Sequence, residues 1–391
     1  MGLSRKYARN ITQGPTPADV ALPPVLPYPD GWSAVAFSDE LKPGAVLTRP
    51  LQGEDVVLYR LRDGRLRAVR PYCPHLGAHL GLGAVEGDDL VCVFHRFAFG
   101  PDGSCVRTGY GAPPPRAALA QLPVREVNDA VFVWRHHDGR APDWEIPVFH
   151  GLDDQPLRST TWELAGHAQE VMENAVDLGH FAPLHGCARA ELAAPVEFDR
   201  ETFRVSMRIW EKVPVLGELL TELEFRGYGL GCLRGDMHLP RFGVRTRMMV
   251  LITMIGPHRL QLRQSGRVLV APPVRLPQPL ARQLNRSLTY LLAGPLFKGS
   301  CEFAAADFPI WATKRYQSPP RLAQGDGPIG PYRHWARQFY PGGAPLRLPE
   351  PSQGQGGEPL PVTGAPDGGL AVTAPAGSPQ RPDRESASGP G

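Results

Sequence analysis

The chain has 391 residues and a formal net charge of +3, and it contains 43 glycines and 44 prolines. Because both residues interrupt regular elements, more than one such residue in five excludes a helical bundle or a coiled coil. The length allows two domains of ordinary size, each with its own core. The small net charge argues against a nucleic-acid partner.

The chain carries no signal for a membrane span. Its longest apolar run, at about 248–255, is much shorter than the roughly 18–20 residues that cross a bilayer. Six cysteines scattered over a long chain are typical of intracellular thiols and metal ligands, and not of a disulfide framework. We therefore expect a cytoplasmic protein without a transmembrane segment.

Short strand-like runs separated by turn signals fill the first part of the chain. Asp63-Gly64 and Asp102-Gly103 are dipeptides typical of hairpin turns, and Pro142 and Pro147 indicate where this pattern ends. The spacing predicts a small antiparallel β domain over 26–150, preceded by an extension over 1–25. Its strand-like runs lie at 34–37, 55–61, 90–94 and 131–134.

Longer and mixed segments follow, and they predict an α+β domain over 151–341. Helical patterns occur near 167–181, 279–296 and 331–340, and strand-like runs near 203–210, 219–230 and 244–254. The last segment, 342–391, has 11 glycines, 10 prolines and no aromatic residue. Such a composition buries too little apolar surface to offset its ordering entropy, so we expect a disordered tail.

The first chemical motif pairs a cysteine with a histidine twice. Cys73-Pro-His75 is followed, after sixteen residues, by Cys92-Val-Phe-His95. A Rieske [2Fe–2S] centre needs two thiolates on one iron and two imidazoles on the other, and two loops that each donate one of each supply them. A zinc finger instead groups its cysteines and its histidines separately. Zinc binding, or buried cysteines beside ordinary histidines, remain the alternatives.

A second motif lies in the α+β domain, in the run Glu173-Asn174-Ala-Val-Asp177-Leu-Gly-His180-Phe-Ala-Pro183-Leu-His185. On a continuous helix Asp177 and His180 share a face, whereas His180 and His185 point apart. We expect Pro183 to kink the helix and to bring the two imidazoles together. Two histidines with an open face are two-thirds of the 2-His-1-carboxylate triad that binds non-haem Fe(II). A merely polar helix edge is the alternative.

The triad then needs a carboxylate from elsewhere in the chain. Glu302, Asp307 and Asp326 are the downstream candidates. Asp326 lies in a Gly-Asp-Gly turn, and no feature of the sequence constrains Glu302. Asp307 leads into the bulky apolar segment Phe-Pro-Ile-Trp, which favours it without excluding the other two.

Together these motifs resemble the α-subunit of a Rieske non-haem iron oxygenase, over about 26–340. The chain is most similar to the branch that contains 3-ketosteroid 9α-hydroxylase oxygenase components and sterol 7-desaturases. Further matching stretches begin at Tyr28-Pro-Asp-Gly-Trp, Asp307-Phe-Pro-Ile-Trp, Asp326-Gly-Pro-Ile and Tyr332-Arg-His-Trp. The second arm reads Cys-Val-Phe-His where many members have Cys-Pro-Phe-His, and no ligand is lost.

The resemblance implies roles for individual residues. Cys73, His75, Cys92 and His95 would hold the cluster, and His180, His185 and Asp307 would hold the iron. Asp177 would hydrogen-bond His180 and the residue of a neighbouring subunit that corresponds to His95, which implies a ring-shaped homotrimer. Asn174, in the same run, is a candidate for supporting the site. The implied fold is a small antiparallel β Rieske domain joined to a helix-grip-like catalytic domain.

The resemblance also implies an O₂-dependent oxidoreductase. Because the chain has no flavin or dinucleotide fingerprint, electrons from NAD(P)H would arrive through a separate ferredoxin or flavin reductase. The expected reaction is hydroxylation or desaturation of an apolar, steroid- or sterol-like substrate. A monooxygenase or demethylase acting on another apolar or aromatic molecule is the alternative enzyme, and an electron carrier or a degenerate scaffold is the alternative without oxygen chemistry.

Overall fold

The computed structural model describes residues 26–273 and 276–343. The extension expected over 1–25, and all but the first two residues of the tail expected over 342–391, lie outside these ranges. The described part is built mainly from antiparallel sheets with few helices, and the α+β class is therefore confirmed. No helix within these ranges is both long enough and apolar enough to cross a bilayer.

Eleven short strands form three antiparallel sheets in the first part of the chain, with the orders β1-β11-β10, β2-β3-β4-β9 and β5-β6-β7-β8. The four strand-like runs of the sequence all fall on or beside these strands. The strands are β1 (Gly31–Phe37), β2 (Val46–Leu51), β3 (Glu54–Arg60), β4 (Leu66–Val69), β5 (Ala84–Glu86), β6 (Asp89–Val91), β7 (Ala98–Phe99), β8 (Cys105–Arg107), β9 (Gln121–Leu122), β10 (Val124–Val127) and β11 (Ala130–Arg135).

One eight-stranded antiparallel sheet forms the second part, in the order β12-β19-β18-β17-β16-β15-β13, with β14 paired to β15. Along β15 buried and less buried residues alternate, as expected for a sheet with one face in the core. The strands are β12 (Arg158–Ala165), β13 (Arg189–Leu192), β14 (Glu197–Phe198), β15 (Thr202–Val213), β16 (Gly217–Tyr228), β17 (Cys232–Leu239), β18 (Val244–Gly256) and β19 (Arg259–Val270).

Five helices accompany this sheet among the described residues, and two of them anchor each other. Arg333 forms a bidentate pair with the buried Glu173, at 2.5 and 2.9 Å, and the Tyr332 hydroxyl donates to the carbonyl of Gln169 at 2.9 Å. The last helix is thereby tied to the first. The helices are α1 (Ala168–Glu173), α2 (Phe181–His185), α3 (Gln278–Ala305), α4 (Phe308–Thr313) and α5 (Ile329–Ala336).

The two parts share a buried boundary. The guanidinium of Arg263, on β19, donates to the carbonyls of Ala34 and Val35 on β1, at 3.0 and 2.6 Å. Burial lowers the pKa of Arg263 to about 10, because the charge is removed from water. Apolar residues of both parts also form one cluster that includes Trp32 and Leu251. The antiparallel β region is therefore packed directly on the large sheet.

Candidate functional site

The two cysteine–histidine arms fold into loops with the same hydrogen bonds. The Cys73 amide donates to the Ala78 carbonyl at 2.9 Å, and the Cys92 amide donates to the Phe97 carbonyl at 2.9 Å. Each amide thus reaches the fifth residue after its own cysteine. This bond closes each loop and holds the cysteine and the histidine two or three positions later on one short turn.

Each loop also reverses through a left-handed residue. Gly77 has φ +76° and Arg96 has φ +57°, and each lies four positions after the cysteine of its loop. Their amides donate to the cysteine carbonyls, at 2.9 Å from Gly77 and 3.1 Å from Arg96. Glycine adopts this conformation freely, whereas arginine is strained there. The second loop keeps the turn despite this cost, which indicates that its shape is required.

The loops bring two sulfurs and two imidazoles together. The side chains of Cys73 and Cys92 are buried, and the rings of His75 and His95 lie 4.7 Å apart between centroids, nearly perpendicular. Burial raises the pKa of the Cys73 thiol to about 11, and the proximity of Cys92 adds to the rise. Paired thiolates in this position therefore need a positive partner.

A Rieske cluster fits this donor set. Nδ1 of His95 is buried and has no hydrogen-bond partner within the described part of the chain. A buried nitrogen without a partner is costly unless it binds another group, and a metal ion satisfies it. The Phe97 ring lies flat on His75, with centroids 4.2 Å apart and an interplanar angle of 10°, and restricts the orientation of that imidazole.

The segment before the second histidine pair is not one helix. α1 ends at Glu173 and α2 begins at Phe181, so the helix expected near 167–181 is confirmed for its first part and wrong for the residues between α1 and α2. The chain turns between them because the Asp177 carbonyl accepts a hydrogen bond from Nδ1 of His180 at 2.7 Å, instead of from an amide four residues ahead. Backbone of the Gly327 turn also packs against Val176 at this point.

The expected role of Pro183 also needs correction. Pro183 is the third residue of α2, where the amide has no partner in the preceding turn, so it fits without a kink. His180 is the N-cap residue of α2, and His185 is its last residue. The break between α1 and α2, and not a kink at proline, brings the two rings to 5.1 Å between centroids.

Two histidines and one carboxylate then converge. Ligand atoms of His180, His185 and Asp307 all lie within 4.8 Å of one another. Nε2 of His185 is 3.5 Å from Oδ2 of Asp307. Of the other candidate carboxylates, Glu302 faces Lys298 at 3.9 Å, and Asp326 accepts from the amide of Ala323 at 2.6 Å.

Burial controls the protonation of this triad. It lowers the pKa of His185 to about 3, and the nearby His180 adds to the effect. It raises the pKa of Asp307 to about 6, against the opposing influence of His180 and of a hydrogen bond from Asn174. His185 is therefore a neutral imidazole with a free lone pair at neutral pH. A divalent cation fits between these three donors, because it compensates the buried carboxylate.

Further side chains hold the triad in place. The Asn174 amide lies beside Asp307 and acts to lower its pKa, and its Oδ1 accepts from Nε1 of Trp311 at 3.4 Å. Phe303 stacks on His185 with centroids 3.8 Å apart and an interplanar angle of 10°. Phe303 and Trp311 were not expected from the sequence as site residues. Only the proximity of Phe303 to Asp307 along the chain could have indicated it.

The carboxylate of Asp177 lies beside the triad. Its Oδ2 is 3.7 Å from Nδ1 of His180, and the side chain is partly exposed. The backbone carbonyl of the same residue accepts from that nitrogen, so Nε2 of His180 is left to face the other donors. Asp177 therefore orients His180 on one side and keeps part of its carboxylate open on the other.

A second group of two histidines and a carboxylate has a different hydrogen-bond pattern. Ligand atoms of Asp30, His136 and His137 also lie within 4.8 Å of one another. Nδ1 of His136 accepts from the Asp138 amide at 3.1 Å, which places its proton on the nitrogen that faces Asp30. His137 pairs with Asp30 at 2.6 Å. These contacts hold the start of the first strand in place, and we do not interpret the group as a set of metal ligands.

A cavity of about 470 Å³ lies over strands β15 to β18, and the residues that line it differ in chemical type from those of the triad. Its lining mixes charges of both signs, including Arg208, Glu222, His238 and Arg245, and contains none of the triad residues. A pocket for an apolar substrate is expected to be lined mainly by apolar and aromatic side chains. The cavity is therefore not assigned to the substrate.

Comparison with known proteins supports the same reading of both parts. Residues 31–123 match the Rieske [2Fe–2S] domain, and residues 133–340 match the 3-ketosteroid 9α-hydroxylase C-terminal domain. The cholesterol 7-desaturase nvd of Bombyx mori is 32% identical over 340 residues, which cover 82% of this chain and 70% of that protein.

Two other proteins extend this comparison. A probable 3-ketosteroid-9-alpha-monooxygenase oxygenase component of Rhodococcus rhodochrous is 26% identical over 344 residues, covering 82% of each chain. The crystal structure of dicamba monooxygenase bound to dicamba has a TM-score of 0.59 at 18% identity, and the match covers 79% of this chain and 96% of that one. The latter similarity concerns the fold.

The fold and the two donor groups define an oxidoreductase of the Rieske oxygenase class, with a [2Fe–2S] cluster and a mononuclear iron as its cofactors. The chain belongs to the Rieske oxygenase family that carries the 3-ketosteroid 9α-hydroxylase C-terminal domain. The expectations of an enzyme and of this family are thereby confirmed.

Proposed function

We propose that this protein hydroxylates or desaturates an unactivated C–H bond of a steroid- or sterol-like molecule. The observation that carries the proposal is the match of residues 133–340, the part that holds His180, His185 and Asp307, to the domain of 3-ketosteroid 9α-hydroxylases. The names of the Bombyx mori and Rhodococcus rhodochrous relatives also refer to rigid, apolar, fused-ring substrates.

In this proposal Cys73, His75, Cys92 and His95 hold the cluster. The two thiolates and the two imidazoles come from loops whose own amides keep the donors in place. Electrons would come from NAD(P)H through a separate ferredoxin or flavin reductase. The exposed ring of Phe94, tilted against His95 at 3.9 Å between centroids, places an apolar side chain at the outer end of this route.

His180, His185 and Asp307 would hold the iron. When bound, ferrous iron with open coordination positions supplies the reaction with O₂. The residues of the chain prepare the donors for binding: burial keeps His185 neutral, the Asp177 carbonyl orients His180, and the Asn174 amide lies beside Asp307. Phe303 covers His185 and shields it from water.

Asp177 would connect the two centres. Its carboxylate, 3.7 Å from His180, keeps one side open toward solvent. We infer that this side accepts a hydrogen bond from the partner subunit's His95 in a ring-shaped homotrimer. A carboxylate between two imidazoles orients both and couples their protonation. An electron carrier without oxygen chemistry would need neither the bridge nor the buried triad.

A substrate screen tests the proposal. The holoenzyme is supplied with a surrogate reductase, NADH and O₂, and products from a panel of sterols, 3-ketosteroids and methoxylated aromatics are identified by mass spectrometry. We expect a product with one added oxygen atom, or with two fewer hydrogens, from a steroid or sterol. Asp307→Ala, with an intact cluster, is the matched control and should give none. Demethylation of the aromatics alone would overturn the proposal.

A further inference from the structure

The break between α1 and α2 is supported by a turn that lies far away in the sequence. This Gly327 turn, residues 323–327, leads directly into α5. Oδ2 of Asp326 accepts a hydrogen bond from the Ala323 amide at 2.6 Å, and the Asp326 amide donates to the Ala323 carbonyl at 3.3 Å. The carboxylate that the sequence left open as an iron ligand therefore closes this turn.

Gly327 packs directly against the backbone on both sides of Asp177. It has φ +82°, a conformation that favours glycine. A β-carbon at this position would lie 2.2 Å from the carbonyl oxygen of Val176 and 3.3 Å from the amide nitrogen of Leu178. The first distance is shorter than van der Waals contact by roughly 1 Å. Any side chain at position 327 would therefore displace the backbone that carries Asp177.

The same turn also lies beside the Asp177 side chain. A β-carbon at Gly179 would lie 3.5 Å from Oδ1 of Asp177 and 3.5 Å from Oδ1 of Asp326. The two carboxylate oxygens are therefore no more than twice that distance apart. Because like charges repel at this range, the Asp326 carboxylate disfavours movement of the Asp177 side chain toward the turn.

The turn is anchored to the helix that precedes the break. It is followed at once by α5, in which the Tyr332 hydroxyl donates to the Gln169 carbonyl and Arg333 pairs with Glu173, both on α1. The turn, α5 and α1 thus form a frame around the residues between α1 and α2. Tertiary packing of this frame sets the position of Gly327 against Val176.

We propose that the Gly327 turn positions the Asp177 carboxylate for electron transfer between the two metal centres. Gly327 supports the backbone before and after Asp177, and Asp326 limits the movement of its side chain. Gly327 and Asp326 are positioning residues, because they act through Asp177. The proposal rests on the bridging role proposed for Asp177 above, and it does not depend on the identity of the substrate.

Alanine substitutions at two glycines of the turn test the proposal. Gly325 has φ +102°, and a β-carbon there would meet no atom within 4 Å. Gly327→Ala and Gly325→Ala therefore both strain the turn, whereas only Gly327→Ala displaces Val176. The holoenzyme is reduced, freed of reductant and mixed with O₂ and, in turn, with each compound of the substrate panel, and cluster oxidation is followed by absorbance.

We expect Gly327→Ala to slow cluster oxidation about 10- to 100-fold, and Gly325→Ala to leave the rate unchanged. Equal rates in the two variants would overturn the proposal. Iron is measured in each variant at saturating Fe(II), and Gly327→Ala should keep about three irons per protomer. If Gly327→Ala lost the mononuclear iron, the turn would position the ligand His180 instead, and the proposal would be wrong.

A double-variant cycle separates positioning of Asp177 from a general structural role. In an Asp177→Asn background the electron route is already impaired, so the addition of Gly327→Ala should slow cluster oxidation only slightly further. If the two losses multiplied, the turn would act independently of Asp177, contrary to the proposal.

Substitutions of Asp326 provide the test if Gly327→Ala does not fold. Asp326→Ala removes the hydrogen bond to the Ala323 amide and should slow cluster oxidation, though less than Gly327→Ala, because no backbone atom is displaced. Asp326→Asn keeps an oxygen for that bond and should restore most of the rate. If Asp177→Asn oxidised its cluster at the parent rate, the bridge would fail together with this proposal. If Asp177→Asn were slow but the Gly327 and Asp326 variants were not, the bridge would stand and only the role of the turn would be wrong.

Discussion

The two metal-binding regions of this molecule are built in opposite ways. The cluster region consists of two short loops with the same backbone hydrogen bonds, and all four donors lie between Cys73 and His95. The triad draws His180 and His185 from one short helix and Asp307 from a position more than a hundred residues later. The first region is specified locally, and the second depends on the packing of α1, α2, α3 and the large sheet.

This contrast predicts that the cluster and the mononuclear iron can each be lost without the other. The largest expected effect is on the metal content of two variants. The parent protein should hold about three irons and two acid-labile sulfides per protomer. Cys73→Ser should lose the sulfides and keep about one iron, whereas His185→Ala should keep the cluster and lose one iron. Both should abolish turnover. If Cys73→Ser also emptied the triad, the two regions would not be independent.

The bridge between the regions should matter for function and not for assembly. Asp177→Asn keeps the shape and the backbone carbonyl that orients His180. We expect unchanged iron and sulfide content, and a decrease of about 10- to 100-fold in product per single turnover. Rapid-quench analysis of the pre-reduced enzyme measures this. Full single-turnover activity in Asp177→Asn would remove the bridging role.

The buried carboxylate should destabilise the metal-free protein. Because burial raises the pKa of Asp307 to about 6, the folded state binds the proton more tightly than the unfolded state does. Proton binding by Asp307 therefore stabilises the folded state. This contribution to the free energy of unfolding is complete below about pH 4 and is lost as the pH rises through 6, and the loss amounts to roughly 2–3 kcal/mol. Metal-free Asp307→Asn should therefore be more stable than metal-free parent at pH 8.

The same comparison has a clear control. The two proteins should converge in thermal stability near pH 4, and the exposed substitution Asp154→Asn should show no such pH dependence. Thermal unfolding with a chelator present measures this. Equal stability of Asp307→Asn and the parent protein at pH 8 would show that the carboxylate has another partner.

The smallest predicted effect concerns the two stacked phenylalanines. Phe303 stacks on His185 and Phe97 on His75, each at an interplanar angle of 10°. Phe303→Leu should weaken iron binding about three- to tenfold, because a stack of this kind contributes roughly 0.5–1.5 kcal/mol. Phe97→Leu should change cluster content less, since backbone hydrogen bonds already hold its loop. Equal losses of metal in the two variants would contradict the conclusion that local backbone hydrogen bonds are sufficient to hold the cluster ligands.

The difference between the regions also explains what the sequence could predict. The spacing of Cys73, His75, Cys92 and His95 was sufficient to expect their convergence, because loop closure is a local property. The strand-like and helical runs predicted an α+β fold of antiparallel sheets. The break between α1 and α2 could not be predicted, because it depends on a hydrogen bond from the His180 ring to a backbone carbonyl.

Contacts between residues far apart in the chain could not be predicted from the sequence either, because they also depend on tertiary packing. The residues alone left Glu302, Asp307 and Asp326 open as the third carboxylate, and the resemblance favoured Asp307. The structure places only Asp307 within 4.8 Å of both histidines, among the residues it describes. The stacking of Phe303 on His185 follows from how a 28-residue helix packs on β19, which no local pattern encodes.

A single turnover with a steroid tests the central claim most directly. The enzyme is reduced anaerobically, freed of reductant and mixed with O₂ and a sterol or 3-ketosteroid, and product and cluster oxidation are then quantified together. We expect an oxidised steroid in proportion to cluster oxidation in the parent protein, and none from Asp307→Ala. Cluster oxidation at the same rate without any steroid product in the parent protein would contradict it.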